Sequence, residues 1–183
     1  MSQKSDFLLK KAQDFSLKAK AYEVDLVVCG GLAIHMLSDF LKRDSLRAWN
    51  HKDIDFIVPL SQLSKAIAFF KEMGFIKVFV PHKKRRLTKN HARLANVMQG
   101  QKVLVDIYGL PRVPIIRIER DGTKIALVSP RLELENWIDR RQRLGSRPAI
   151  DLSIEFLSYV VNKGSLKEEE LGQRAEGCST ANF

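Results

Sequence analysis

Cysteine is scarce in this chain: the 183 residues hold two, Cys29 and Cys178, far apart and outside any CxxC or Cys/His spacing. That excludes a disulfide scaffold and a cysteine-ligated zinc site, and it makes a reducing, cytoplasmic location the simplest expectation. Cys29 lies in an apolar run and reads as a small core residue. Long hydrophobic runs are missing too. The longest, Leu26 to Ile34, is interrupted by Gly30 and Gly31, and it falls well short of the ~20 apolar residues of a membrane-spanning helix. The opening Met-Ser-Gln-Lys-Ser-Asp lacks the apolar core of a secretory leader. No membrane partner is therefore expected. No segment recurs at a fixed period, which excludes a repeat architecture.

What is present suits a folded domain. Hydrophobic residues make up 45% and charged residues 28%, too apolar a mixture for a disordered charged tail. The length fits one domain around one core. The formal net charge is +10 and the sequence pI about 9.8. Such an excess favours an anionic partner, whether nucleic acid, nucleotide or acidic membrane, without choosing among them.

Apolar spacing predicts a helix over residues 6–22, with lysines on its far face, and a buried strand over 25–29 that Gly30 and Gly31 break before a second helix to Leu41. Ile54, Phe56 and Val58 alternate with Asp53, Asp55 and Ile57, which predicts a strand ended by Pro59. A helix from Ser61 to Met73 and a strand over 76–80 follow. Pro81 to His91 reads as a basic loop. Hairpins are expected over 92–108 and 115–128, then helices over 129–144 and 150–161. The expected class is α+β: a mixed sheet with packed helices and two further helices at the end, forming one domain over 1–162. It comprises an N-terminal helix over 6–22, a core over 24–110, and a hairpin with helices over 111–162. Residues 163–183 are polar and without apolar periodicity, and read as a flexible tail.

Three features carry chemistry. Val28-Cys29-Gly30-Gly31-Leu32-Ala33 runs a strand into a helix through two glycines. Glycine lets backbone N–H groups approach a ligand, and a helix N-terminus offers unpaired donors to phosphate. An ordinary tight turn is the competing explanation. In His51-Lys52-Asp53-Ile54-Asp55-Phe56, residues two apart on a strand share a face. Asp53 and Asp55 would stand side by side and repel, unless a hard divalent cation sits between them or open solvent surrounds them. In Val103-Leu104-Val105-Asp106-Ile107-Tyr108, one aspartate interrupts an apolar strand. It either faces a polar site or caps a strand end.

In this order the three features resemble the nucleotidyltransferase superfamily of polymerase-β-like fold, whose signature is a glycine pair at a helix start, an Asp-x-Asp strand and a third carboxylate on a neighbouring strand. The resemblance spans residues 24–110 and looks nearest to the lincosamide and aminoglycoside nucleotidyltransferases and the abortive-infection type toxin nucleotidyltransferases. Arg47 and His51 match a basic residue and a histidine found before the Asp pair there. Ser129-Pro130-Arg131-Leu132 and the arginines 140, 141, 143 and 147 look similar to their later segments. This chain departs from the pattern in the long gap between Gly31 and Asp53 and in having Gly31 where serine is common.

The resemblance implies a metal-dependent transfer of an NMP from an NTP onto a hydroxyl of a small molecule, tRNA or protein, with release of pyrophosphate. Asp53, Asp55 and Asp106 would be catalytic and hold Mg²⁺ or Mn²⁺. Gly30, Gly31, His51, Lys52, Lys84 and Arg85 would bind nucleotide, the last two from the basic run Lys83-Lys84-Arg85-Arg86 that continues to Lys89, His91 and Arg93. A solvated loop explains that run equally, and no aromatics interleave it for base stacking. His35 would face outward or pack within its helix, and Trp49 would stack on a base or anchor its loop. The small size implies an acceptor site completed by a second copy or a partner protein. The alternative function is a non-catalytic nucleic-acid or nucleotide-binding protein that keeps the fold.

Overall fold

The alternation over residues 54–58 organises the molecule. The computed structural model describes residues 3–43, 51–78 and 90–172. Its elements are α1 (Gln3–Ala19), β1 (Val27–Cys29), α2 (Gly30–Phe40), β2 (Ile54–Pro59), α3 (Leu63–Glu72), β3 (Ile76–Lys77), β4 (His91–Met98), β5 (Gln101–Leu110), β6 (Val113–Arg120), β7 (Thr123–Val128), α4 (Pro130–Leu144), α5 (Pro148–Lys163) and β8 (Glu168–Leu171). One mixed sheet runs β3-β4-β5-β2-β1-β7-β6-β8. β2 pairs with β5 and β1 with β7 in parallel; the other pairings are antiparallel. The α+β class stands.

Each central strand serves two faces. Val28, Ile54, Phe56, Val58, Val105 and Ile107 enter the main core, where Leu8, Ala12 and Phe15 of α1, Leu32 and Met36 of α2, and Phe69 and Phe70 of α3 close over them. Phe15, Phe70 and Phe75 meet edge to face at centroid distances of 5.2–5.7 Å, the arrangement that aromatic quadrupoles favour. The opposite face carries the smaller apolar cluster of Val27, Cys29, Ile57, Val113, Ile115 and Val128. Asp55 falls on that second face by strand alternation.

Two turns set register. Gln99 (φ 52°) and Gly100 (φ 72°) are both left-handed, the two-residue hairpin turn that matches strand twist. It places Arg93 opposite Asp106 and His91 opposite Tyr108. α4 starts at Pro130, with the Ser129 hydroxyl accepting from the Leu132 amide at 3.3 Å, a side-chain cap that satisfies an otherwise unpaired donor. α1 begins earlier than its periodicity suggested and gives way to a short 3₁₀ turn over Lys20–Tyr22. The segment after Lys163, read as a tail, contributes β8. Its Glu168, Glu169 and Glu170 defeated any apolar pattern, yet they pair with β6 as an edge strand. Among the described residues no helix is long and apolar enough to cross a membrane.

Candidate active site

Parallel pairing of β2 with β5 puts Asp55 and Asp106 in register, so their side chains leave the sheet on the same face. Asp53, two residues earlier, joins them. One oxygen from each lies within 4.8 Å of the others. The three predicted carboxylates are thus brought together. Burial, then the charges of Asp53 and Asp106, push the Asp55 pKa well above the usual carboxylate range. Among the described residues Asp55 has no hydrogen-bond or ion-pair partner. An all-oxygen cluster with one uncompensated carboxylate suits a hard divalent cation.

Asp106 is held differently. Arg93 donates from Nε to both its oxygens at 2.8 and 3.0 Å and again from Nη2, and it reaches Asp53 Oδ2 at 3.2 Å. His91 Nε2 lies 2.7 Å from Asp106 Oδ1, and its ring stacks on Tyr108 with centroids 4.6 Å apart. Burial alone would raise the Asp106 pKa; the bonds from Arg93 and His91 outweigh it and carry the net shift downward. The hydrogen bond to Asp106 likewise raises Arg93. Sequence reading placed His91 at the end of a basic loop and Arg93 at the start of a hairpin strand, both in a basic run offered to phosphate. They are strand residues bound to the third aspartate, and the two-residue turn at Gln99-Gly100 was the signal that could have found them.

The glycine pair is as tightly specified. Gly30 has φ +68°, and a Cβ there would come within 2.7 Å of Asp55 Oδ2. Its amide donates to Glu133 Oε1 at 2.5 Å, while Glu133 Oε2 accepts from Trp137 Nε1 at 3.1 Å. Burial raises the Glu133 pKa, partly offset by those two bonds and by the Arg140 charge. No motif announced Glu133: a single acid in a helix with mixed charges carries no pattern. Gly31 packs on His51, whose Nδ1 would lie 3.2 Å from a Cβ at that position. His51 Nε2 meets His35 Nδ1 at 2.9 Å, and both rings are buried. Burial, then the His35 charge, lowers the His51 pKa to about 4. His51 therefore packs behind the glycine turn. Lys52 is exposed. Lys84, Arg85, Arg47 and Trp49 lie outside the described residues.

A cavity of about 300 Å³ opens between the second sheet face and α4, lined by Cys29, Gly30, Asp55, Ile57, Tyr108 and Leu110 on one side and by Glu133, Trp137 and Arg140 among others on α4. Burial, then the Asp55 charge, raises both the Cys29 thiol and the Tyr108 phenol, so both are neutral walls.

No family model matches the sequence, and no curated protein matches it in sequence. Solved structures do match in fold. The solution structure of the antibiotic-resistance factor ANT(2'')-Ia is 12% identical, with 87% of each chain covered and a TM-score of 0.59. The crystal structure of ANT(2'')-Ia in complex with adenylyl-2''-tobramycin is 13% identical, covers 86% of this chain and 91% of that one, and has a TM-score of 0.61. An antigenic nucleotidyltransferase-like protein from Paracoccidioides brasiliensis is 18% identical, covers 86% and 78%, and has a TM-score of 0.58. The likeness is one of architecture, and the architecture of this chain is the nucleotidyltransferase fold.

Proposed function

We propose that the protein is a metal-dependent nucleotidyltransferase that moves an NMP from an NTP onto a hydroxyl acceptor with release of pyrophosphate. The observation that carries this reading is the cluster of Asp53, Asp55 and Asp106 within 4.8 Å, set against the glycine turn of a nucleotidyltransferase fold. Mg²⁺ or Mn²⁺ held by the three carboxylates would neutralise charge on the reacting phosphate oxygens.

The chain's own residues supply the rest. The amides of Gly31 and Leu32, in the first turn of α2, are donors without intrahelical acceptors and form the positive end of the helix dipole. Arg93 keeps Asp106 ionised and aimed at the cluster. His51, neutral by burial, supports Gly31 from behind. Lys52, Lys84 and Arg85 would meet phosphates on the solvent side. The bound adenylyl-2''-tobramycin in ANT(2'')-Ia supports a small-molecule acceptor over tRNA or protein.

Each of the four α-labelled NTPs, incubated with Mg²⁺ and cell extract, tests the reading. Label should move to an acceptor with wild-type protein and not with Asp53→Ala or Asp55→Ala at unchanged circular dichroism. Wild-type turnover in either variant would overturn it. One observation favours a second reading, a binding protein without catalysis: the Arg93 guanidinium already spans Asp53 and Asp106. Calorimetry separates the two, because binding of NTP that needs no metal and weakens steeply with salt would support the second.

A further inference from the structure

The cavity beside the carboxylates has a polarity of its own. At one end stand Asp55 and Gly30, with Glu133 closing over the Gly30 amide. The middle is apolar and aromatic: Ile57, Tyr108 and Leu110 on the sheet, Trp137 on α4. At the far end Arg140 places its guanidinium over the Trp137 ring, 5.0 Å from the centroid. Two helical turns, about 10 Å, separate Glu133 from Arg140 along α4. The neighbouring arginines are committed, Arg143 to Asp139 at 2.7 Å and Arg141 to Asp151 at 3.1 Å. Among the described residues Arg140 has no carboxylate in ion-pair contact.

We infer that this cavity is the acceptor site, and that it takes a compact hydroxyl compound with an apolar, preferably aromatic body and one anionic group at the end away from the hydroxyl. The inference rests on the nucleotidyl-transfer reading and deepens it. Three observations choose this occupant. A volume of about 300 Å³ lies at the small end of ligand pockets, ~300–1,000 Å³, and leaves no room for an RNA end and its neighbouring phosphates. Of the three carboxylates in the wall, Asp55 belongs to the cluster, Glu133 is bonded to the Gly30 amide and to Trp137 Nε1, and Asp139 is paired with Arg143, so a polycationic sugar would set its amines against Arg140 with no unengaged carboxylate to receive them. An NTP lying in this cavity would leave the Gly31 and Leu32 amides, the phosphate donors of the turn, unused. Its phosphates would also meet the Glu133 carboxylate, which already occupies the Gly30 amide on this side.

The acceptor hydroxyl then enters beside Asp55. Its oxygen attacks the α-phosphorus of the NTP. A new P–O bond forms as the bond to the β-phosphate oxygen breaks, pyrophosphate leaves with that electron pair, and the hydroxyl proton passes to a carboxylate of the cluster or to water.

Trp137 lines the cavity, and Trp49 is the chain's other tryptophan, so a Trp49→Phe background gives a single-indole reporter. 3-(4-Hydroxyphenyl)propionate should quench Trp137 fluorescence saturably. Tyramine, with an amine in place of the carboxylate, should bind at least tenfold more weakly, and tobramycin should not bind. Arg140→Gln should remove the preference for the acid while leaving tyramine unchanged. Equal or tighter binding of tyramine, displacement of the acid by ATP and Mg²⁺, or no quenching by the acid would each overturn the inference. Transfer of label to the acid's phenolic oxygen reads the other claim separately. Binding without transfer from any NTP refutes nucleotidyl transfer and leaves the cavity's selectivity standing. Transfer to another acceptor, with no binding of the acid, does the reverse.

Discussion

Replacing His51 with glutamine should change how stability depends on pH in a calculable way. His51 is 7% exposed, wedged between Gly31 and His35, and its pKa is lowered from 6.5 to about 4. In the unfolded chain the ring takes up a proton near pH 6.5; in the folded protein it stays neutral until about pH 4. Between those values the unfolded state binds more protons, so folding stability falls as the pH falls. At 1.36 kcal/mol per pKa unit the full loss is about 3 kcal/mol, nothing being lost above pH 7. Glutamine does not titrate and keeps a polar group for His35. Asp55 and Glu133, whose raised pKa values act with the opposite sign in the same window, are common to both proteins and drop out of the difference. Urea unfolding of wild type and His51→Gln at pH 7, 6, 5 and 4.5, without metal, reads it. The stability difference should move by about 2–3 kcal/mol in favour of the variant on acidification. A difference that stays constant from pH 7 to 4.5, or that moves the other way, refutes the buried neutral histidine.

Other perturbations have equally definite outcomes. Gly30→Ala forces a left-handed backbone on a residue with a Cβ, and that Cβ lands 2.7 Å from Asp55 Oδ2. The strain costs about 1–2 kcal/mol, visible in the unfolding midpoint, and displacement of Asp55 should lower transfer at least tenfold. Asp55→Asn removes a carboxylate that burial and the three like charges of Asp53, Asp106 and Glu133 disfavour, so at pH 7 the metal-free protein should melt higher than wild type, with the advantage shrinking as wild-type Asp55 gains its proton. The rise in melting temperature that Mg²⁺ gives wild type should disappear in this variant. Arg93→Met leaves Asp106 buried without its bidentate partner, a loss of about 3–5 kcal/mol; Mg²⁺ should restore part of it in a thermal shift.

The face alternation of β2 was legible because Asp55 and Ile57 interrupt the run of Ile54, Phe56 and Val58 at a period of two, a pattern that tertiary context had no means to override. The third carboxylate was legible for a related reason: an acid amid Val103, Leu104, Val105 and Ile107 is expensive unless something receives it. Its actual receivers, Arg93 and His91, were not. Their role depends on hairpin register, which the left-handed pair Gln99-Gly100 sets and which a span of 92–108 alone does not give. Glu133 was illegible on different grounds. It meets Gly30 across 103 positions of chain, and nothing local to α4 marks one acid among Glu133, Glu135 and Asp139 as the buried one. Three glutamates in succession misled the reading of β8, because charge on a strand is tolerable where only one edge is paired.

That acidic edge has a consequence for self-association. At one end of the sheet β3 is too short to template a partner. At the other, β8 shields β6 with carboxylates that Arg112 and Arg117 hold at 3.5 and 3.0 Å, exposed pairs that salt screens. Salt therefore takes little from this edge: the ladder from Val113–Leu171 to Ile116–Glu168 and the packing of Leu171 on the Val113 and Ile115 cluster keep β6 covered when the ion pairs are screened. The outer face that remains is a row of glutamates, which repels a second edge of the same kind and guards the sheet against edge-to-edge association.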